Sequence, residues 1–205
     1  MIAESFARSR AVWAMPVAIG LLCLLLALGG DAARAALEYR REAVAAGQWW
    51  RLLSGNFLHF GWYHLGLNLA GLWVLVLLCP EPLPARAWLL RLLLLGLGVT
   101  VGLYALAPQW RSYVGFSGVL HGLFLLGLLP QALRRDGIAL AAIACLLAKL
   151  AWEWATGTPI SDEQALGGRV AHEAHRFGIM TALCYAAIAG LFRPRTPEGR
   201  APEAR

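Results

Sequence analysis

Six predominantly apolar blocks, Val12–Leu28, Trp62–Leu78, Trp88–Ala107, Gly115–Leu129, Ile138–Ala155 and Val170–Phe192, alternate with short segments that carry most of the arginines. A bilayer core of roughly 30 Å is spanned by about 20 apolar residues in a helix, so the pattern predicts six membrane-spanning helices in an all-α bundle. The fourth block is short, rich in glycine and ends at Pro130, which suits a helix shielded by its neighbours rather than one facing lipid on all sides. Residues 1–192 thus form one membrane domain. The remainder, 193–205, is rich in Pro, Arg and Glu and reads as a short disordered cytoplasmic tail.

Composition narrows the class. Hydrophobic residues make up 59% of the 205 and charged ones 15%, which argues against a soluble domain, a disordered chain or a coiled coil. The formal charge of +6 comes from 18 basic residues, nearly all arginine and mostly outside the apolar blocks, a pattern of membrane orientation rather than nucleic-acid binding. With the N-terminus inside, the inner segments hold Arg8, Arg10, Arg86, Arg91, Arg134, Arg135 and the four tail arginines. The outer segments hold only Arg34, Arg40, Arg41, Arg111 and Arg169, so both termini are expected in the cytoplasm. The basic start and Ala33-Arg34-Ala35 also resemble a cleavable signal, but the apolar run exceeds an h-region of about 7 to 15 residues and is read as a span. Cys23, Cys79, Cys145 and Cys184 lie far apart, without the spacing of a metal site or a disulfide framework.

Polar side chains inside spans are costly and therefore informative. His59, His64 and Asn68 fall early in the second span, Ser117 and His121 early in the fourth, and His172, Glu173 and His175 early in the sixth. In the orientation above, all of them lie in the outer half of the bilayer, so three helices converge on one polar layer. Ser117 sits at a glycine turn, Gly115-Phe116-Ser117-Gly118, and a serine hydroxyl becomes a useful nucleophile once a base such as histidine takes its proton. His64 and Asn68, one turn apart, can donate to a developing oxyanion. Gly118 with Gly122, and Gly178 with Ala182, form small-xxx-small pairs that would let the fourth and sixth helices approach and bring Ser117 to His175. Taken singly, an intramembrane serine bonded to its own backbone, or a histidine bonded to a neighbouring helix, is the plainer explanation. The histidines of His172-Glu173-Ala174-His175 are three apart rather than the four of a zincin helix, so no metal or other cofactor is expected. Axial ligation of haem by the histidines is a competing function, but it leaves Ser117 and Asn68 without a purpose. Lys149 and Glu153, four apart in the fifth span, lie on one helix face as an ion pair or as a polar contact to substrate or lipid.

Trp50-Arg51, His59-Phe-Gly-Trp-Tyr-His64-Leu-Gly-Leu-Asn68, Gly115-Phe-Ser117-Gly118 and Ala174-His175-Arg-Phe-Gly178 together resemble the rhomboid intramembrane serine proteases in order, spacing and span. The six-helix form, Ser-Gly-Val-Leu-His121-Gly and Glu173-Ala-His175 look most like the rhombosortase subgroup; the resemblance covers about Gln48 to Ala182. It implies Ser117 as nucleophile, His175 as general base and acid, and His64 and Asn68 beside the Ser117 N–H in an oxyanion hole. His59 and Arg51 match positions that hold the first outer loop, and the dyad needs no third carboxylate, so neither Glu173 nor Asp162 is assigned a catalytic part.

The implied activity is endopeptidase hydrolysis of single-span exported proteins at a C-terminal Gly-Gly segment, with water or a lipid amine resolving the acyl-enzyme. The implied location is the bacterial inner membrane, among lipid, with the site toward the periplasm. An inactive rhomboid-like binding protein is the alternative. Two positions depart from the common pattern. His121 stands where many rhomboids carry a tyrosine that stacks on the catalytic imidazole, and as a histidine it could itself reach back to Ser117 as a rival base. Arg176 directly follows His175 and could snorkel outward or meet Glu173.

Overall fold

The computed structural model describes residues 2–190, and the tail at 193–205 lies outside them. The elements in chain order are α1 (Ile2–Leu28), α2 (Gly30–Leu37), β1 (Tyr39–Arg40), α3 (Arg41–Ala45), α4 (Arg51–Ser54) with a following 3-10 turn (Gly55–Phe57), α5 (Trp62–Leu78), α6 (Ala85–Leu106), β2 (Ser112–Tyr113), α7 (Ser117–Leu133), α8 (Gly137–Thr156), α9 (Glu163–Leu166) and α10 (His172–Ile188). Each of the six apolar blocks becomes a helix. α6 and α8 are long and apolar enough to cross a membrane alone, and two bent pairs, Val12–Leu28 with Gly30–Leu37 at 108° and Arg51–Phe57 with Trp62–Leu78 at 90°, would raise the number to four.

Two differences from the expected spans have physical reasons. The helix beginning at Ser117 does not stop at Pro130 but continues to Leu133. A proline inside a buried helix is tolerated where the surrounding protein supports it, and the next side chain, Gln131, ties α7 to the end of α5 by donating to Leu78 O at 3.1 Å and to Gly127 O at 3.2 Å. The last helix is shorter than the block 170–192, starting at His172 and closing at Ile188. Both α7 and α10 have 17 residues. α7 can be short because protein surrounds it: ten of its residues are buried, Leu126 and Leu128 at 1% exposure among them.

The main apolar cluster forms around α7 and draws Leu92 and Leu95 from α6, Leu72 and Leu75 from α5, Ile179 and Ala182 from α10, and Ile19 and Cys23 from α1. α1 is therefore an integral wall of the bundle, with Trp13 tilted against Trp73 of α5 at 4.7 Å between ring centroids. α8 is peripheral: Ala139, Leu150 and Glu153 are its buried residues. It starts at an Asp136 cap that accepts from Ala139 N and ends at Gly157 in the left-handed conformation.

At one end of the bundle β1 pairs antiparallel with β2, Tyr39 opposite Tyr113 and Arg40 opposite Ser112. Arg41 fans across the C-terminal turn of α6, donating to Leu103 O at 2.8 Å, Tyr104 O at 2.9 Å and Ala107 O at 3.2 Å, at a helix end where the dipole favours a cation. β2 leads directly into α7, so this small sheet sets the position from which Ser117 starts.

Candidate active site

Three local features place Ser117. Tyr113, the last residue of β2, is buried and donates its hydroxyl to Gly115 O at 2.6 Å; burial pushes its phenol well above the ordinary range, so it stays a donor. Gly115 has φ +137°, where side chains are strained, and a Cβ there would sit 3.2 Å from His64 Nε2 and 3.8 Å from Ser117 Oγ. Phe116 is buried against Phe57, 5.6 Å between ring centroids. The chain then enters α7 with Ser117 as its first residue, so the Ser117 N–H has no acceptor within the helix and points from its positive end.

The glycine pattern acts as its spacing implied. A Cβ on Gly178 would collide with the carbonyl of Gly118, one on Gly118 would lie 2.9 Å from Ala174 O, and one on Gly122 would lie 2.8 Å from Gly178 O. α7 and α10 thus meet backbone to backbone. That approach sets Ser117 Oγ 3.0 Å from Nε2 of His175, whose ring is 4% exposed.

Beyond His175 the contacts continue into α8. His175 Nδ1 is 2.9 Å from Glu153 Oε2, and Lys149 Nζ is 2.5 Å from Glu153 Oε1. Lys149 Nζ also lies 3.2 Å from both His121 Nε2 and His175 Nδ1. The His121 ring stacks on that of His175, 4.1 Å between centroids and 14° between planes, while its Nδ1 meets Ser117 O at 2.7 Å. Both ring nitrogens of His121 are thereby engaged away from the Ser117 hydroxyl. It stands where a stacking residue stands, and its geometry does not favour the rival base.

His64 and Asn68 face the same space. Phe60 N donates to His64 Nδ1 at 3.3 Å, which leaves Nε2 to carry the ring proton on the side toward Gly115. Asn68 Nδ2 donates to His64 O at 2.9 Å and has a second hydrogen to offer. Ser117, His64, Asn68, His121, Lys149 and His175 all border one cavity of about 290 Å³.

The two loop residues part company. Arg51, 6% exposed, donates to Ala35 O at 2.8 Å, Glu38 O at 2.8 Å and Gln48 Oε1 at 2.7 Å, binding the segment after α1 to α4. Among the described residues His59 makes no such bond: neither of its buried ring nitrogens meets a partner there, and its ring meets His64 edge-on at 5.0 Å. Glu173 accepts from Gln109 at 2.7 Å and from the Trp110 indole at 2.8 Å, rather than from Arg176, while Asp162 caps α9 through Gln164 N at 2.8 Å. The i, i+4 spacing puts Lys149 and Glu153 on one helix face but does not reveal that this face meets His175. The signal was present, since a glutamate in an apolar span needs a partner for each oxygen and Lys149 supplies only one.

A family model described as "Rhomboid domain" matches residues 46–192. The chain is also 33% identical over 81 residues to "Putative rhomboid protease YdcA" of Bacillus subtilis (strain 168). That alignment takes in 40% of this chain and 41% of the relative, so it spans less than half of either. The matched segment of the family model carries all the residues that meet at the cavity and well over half of the sequence, and on that basis the chain belongs to the rhomboid family.

Proposed function

We propose that this protein is an intramembrane serine protease of the rhombosortase type, cleaving single-span membrane-anchored exported proteins through Ser117 and His175. The contact between Ser117 Oγ and His175 Nε2, 3.0 Å and open to a cavity between helices, carries the reading. A serine paired with an imidazole at this separation is the arrangement that acyl transfer requires. Ser117 Oγ attacks the scissile carbonyl carbon while its proton passes to His175 Nε2. The resulting oxyanion is met by Ser117 N–H, His64 Nε2–H and Asn68 Nδ2–H. His175 then gives the proton to the departing amine as the C–N bond breaks, and water, or a lipid amine, repeats the sequence on the acyl-enzyme.

Gly115 contributes by having no side chain, because a Cβ would occupy the gap between His64 Nε2 and Ser117 Oγ where the oxyanion develops. The substrate must present an unwound backbone, since helical carbonyls are already bonded. A Gly-Gly segment makes unwinding cheap, at roughly 1 kcal/mol less helix propensity per glycine than alanine. The excess of arginine in alternate segments supports both termini in the cytoplasm and the cavity toward the periplasmic side of a bacterial inner membrane. An inactive rhomboid-like binder would have no use for the Ser117–His175 contact.

The test is co-expression with a single-span reporter ending in Gly-Gly, an apolar helix and a basic tail. The expected result is a size shift that disappears with Ser117→Ala. A shift that persists in the purified variant overturns the serine mechanism.

A further inference from the structure

We infer that Glu153 is a positioning residue for the reaction: its carboxylate holds His175 in the one tautomer that can accept the Ser117 proton, and Lys149 holds the carboxylate. The inference rests on the protease reading above and adds a third and fourth residue to the serine–histidine pair.

Placement is the first argument. α8 is peripheral, yet Glu153, at 1% exposure, is among its three buried residues. Burying a carboxylate is expensive unless both oxygens are satisfied. A structural ion pair would need Lys149 alone. Here the two oxygens divide their partners, Oε1 to Lys149 Nζ at 2.5 Å and Oε2 to His175 Nδ1 at 2.9 Å.

The second argument is proton bookkeeping. A carboxylate only accepts, so the His175 nitrogen facing Glu153 carries hydrogen, and His175 Nε2 presents its lone pair to the Ser117 hydroxyl. Lys149, facing a ring N–H on His175, turns its hydrogens to Glu153 and to His121 Nε2. His121 Nε2 is then an acceptor, so its Nδ1 is protonated and donates to Ser117 O at 2.7 Å. Under this assignment each ring N–H in the cluster meets an acceptor, and so do two of the three Lys149 hydrogens, the third being left to the cavity. The opposite tautomer of His175 sets its lone pair against the carboxylate and a ring hydrogen against the serine hydroxyl, with no base for the proton. The stacked His121 ring, 4.1 Å away, resists a flip of the His175 ring that would exchange the places of Nδ1 and Nε2.

During acylation the proton moves from Ser117 Oγ to His175 Nε2 and on to the leaving amine; the Nδ1 hydrogen stays on His175. Glu153 takes no proton. It stabilises the imidazolium through a charge-assisted hydrogen bond, as the orienting carboxylate of a serine triad does.

Two measurements on the full-length purified protein in detergent test this. The first is steady-state cleavage of the Gly-Gly reporter by wild type, Ser117→Ala, Glu153→Gln and Glu153→Asp. Gln is isosteric, but its amide can donate to Nδ1 and select the wrong tautomer. The expected fall in kcat for Glu153→Gln is about 10³ to 10⁴-fold, with KM within about threefold, and Glu153→Asp should recover at least about tenfold of the loss. A carboxylate that served packing alone would give no split between kcat and KM and no rescue by Asp. Near-wild-type kcat in folded Glu153→Gln beside a dead Ser117→Ala overturns the positioning role and leaves the protease reading intact, whereas cleavage by Ser117→Ala overturns the protease reading itself.

The second measurement needs no change at Glu153 and stands even if that variant fails to fold. Tautomer-sensitive ¹⁵N NMR of histidine-labelled Ser117→Ala protein is expected to show neutral His175 protonated at Nδ1. Protonation at Nε2 overturns the inference.

Discussion

Arg51 and Glu153 are both charged side chains held almost wholly out of water, at 6% and 1% exposure, and their surroundings differ in kind. Arg51 ends on two backbone carbonyls and one neutral amide, groups that neither gain nor lose protons near neutral pH. Glu153 ends on Lys149 and His175, a cation and a titratable imidazole. Around Arg51 the cost of burial is offset by partners that fix the shape of the segment between α1 and α4. Around Glu153 the partners are titratable groups, one of them the imidazole that touches Ser117. One end of this bundle therefore contains two polar regions, one whose loss should be read in stability and one whose loss should be read in rate.

Substitutions can break that comparison. The largest effect is expected at the reacting pair. Ser117→Ala and His175→Ala should each lower kcat by on the order of 10⁶-fold, and the double variant should cost little more, because the two act as one unit. Thermal melting in detergent should barely move for Ser117→Ala, which removes a single hydroxyl. Next comes the oxyanion side. Asn68→Ala should reduce kcat about 10² to 10³-fold with residual turnover, and a rate equal to wild type would remove Asn68 from that part.

The loop region should respond in the other currency. Arg51→Ala leaves Ala35 O and Glu38 O without their donor and should lower unfolding free energy by about 1–3 kcal/mol, while kcat per folded molecule stays within a few-fold. Lys cannot reproduce the fork that reaches both carbonyls, so Arg51→Lys should recover only part of the loss. A large drop in kcat with unchanged stability would erase the distinction between the two regions.

The smallest effect sharpens the comparison inside the polar layer. His121→Tyr keeps an aromatic face against His175 and should retain activity within about tenfold of wild type. A phenol with an ordinary pKa of about 10 is a poor base, so if His121 took the Ser117 proton the same change would be close to inactive.

Much of this arrangement could be read from the chain because membrane burial penalises polarity so strongly. His64, Asn68, Ser117 and His175 stand out against apolar helices, and the Gly118, Gly122 and Gly178 spacing implied the approach that sets Ser117 against His175. Other features were hidden for identifiable reasons. Pro130 signals a helix end, but the tie from Gln131 that follows it reaches Leu78 O, which is distant in sequence. The 90° bend between Arg51–Phe57 and α5 separates segments whose apolar content is continuous. The bond between Glu153 and His175 joins residues 22 apart on different helices. An i, i+4 spacing reports which residues share a face, whereas the neighbour opposite that face is decided by how α8 docks. The edge-on contact of His59 with His64 was hidden too, because aromatic packing leaves no trace in spacing.

The central claim is that Ser117 is a nucleophile activated by His175, and its most direct test is covalent. Purified protein would be treated with a serine-directed fluorophosphonate and digested, and the adduct would be located by peptide mass spectrometry. One adduct is expected, on Ser117, that is lost in Ser117→Ala and strongly slowed in His175→Ala while His121→Tyr still labels. An adduct on another residue, or labelling of Ser117 at an unchanged rate without the His175 imidazole, would contradict it.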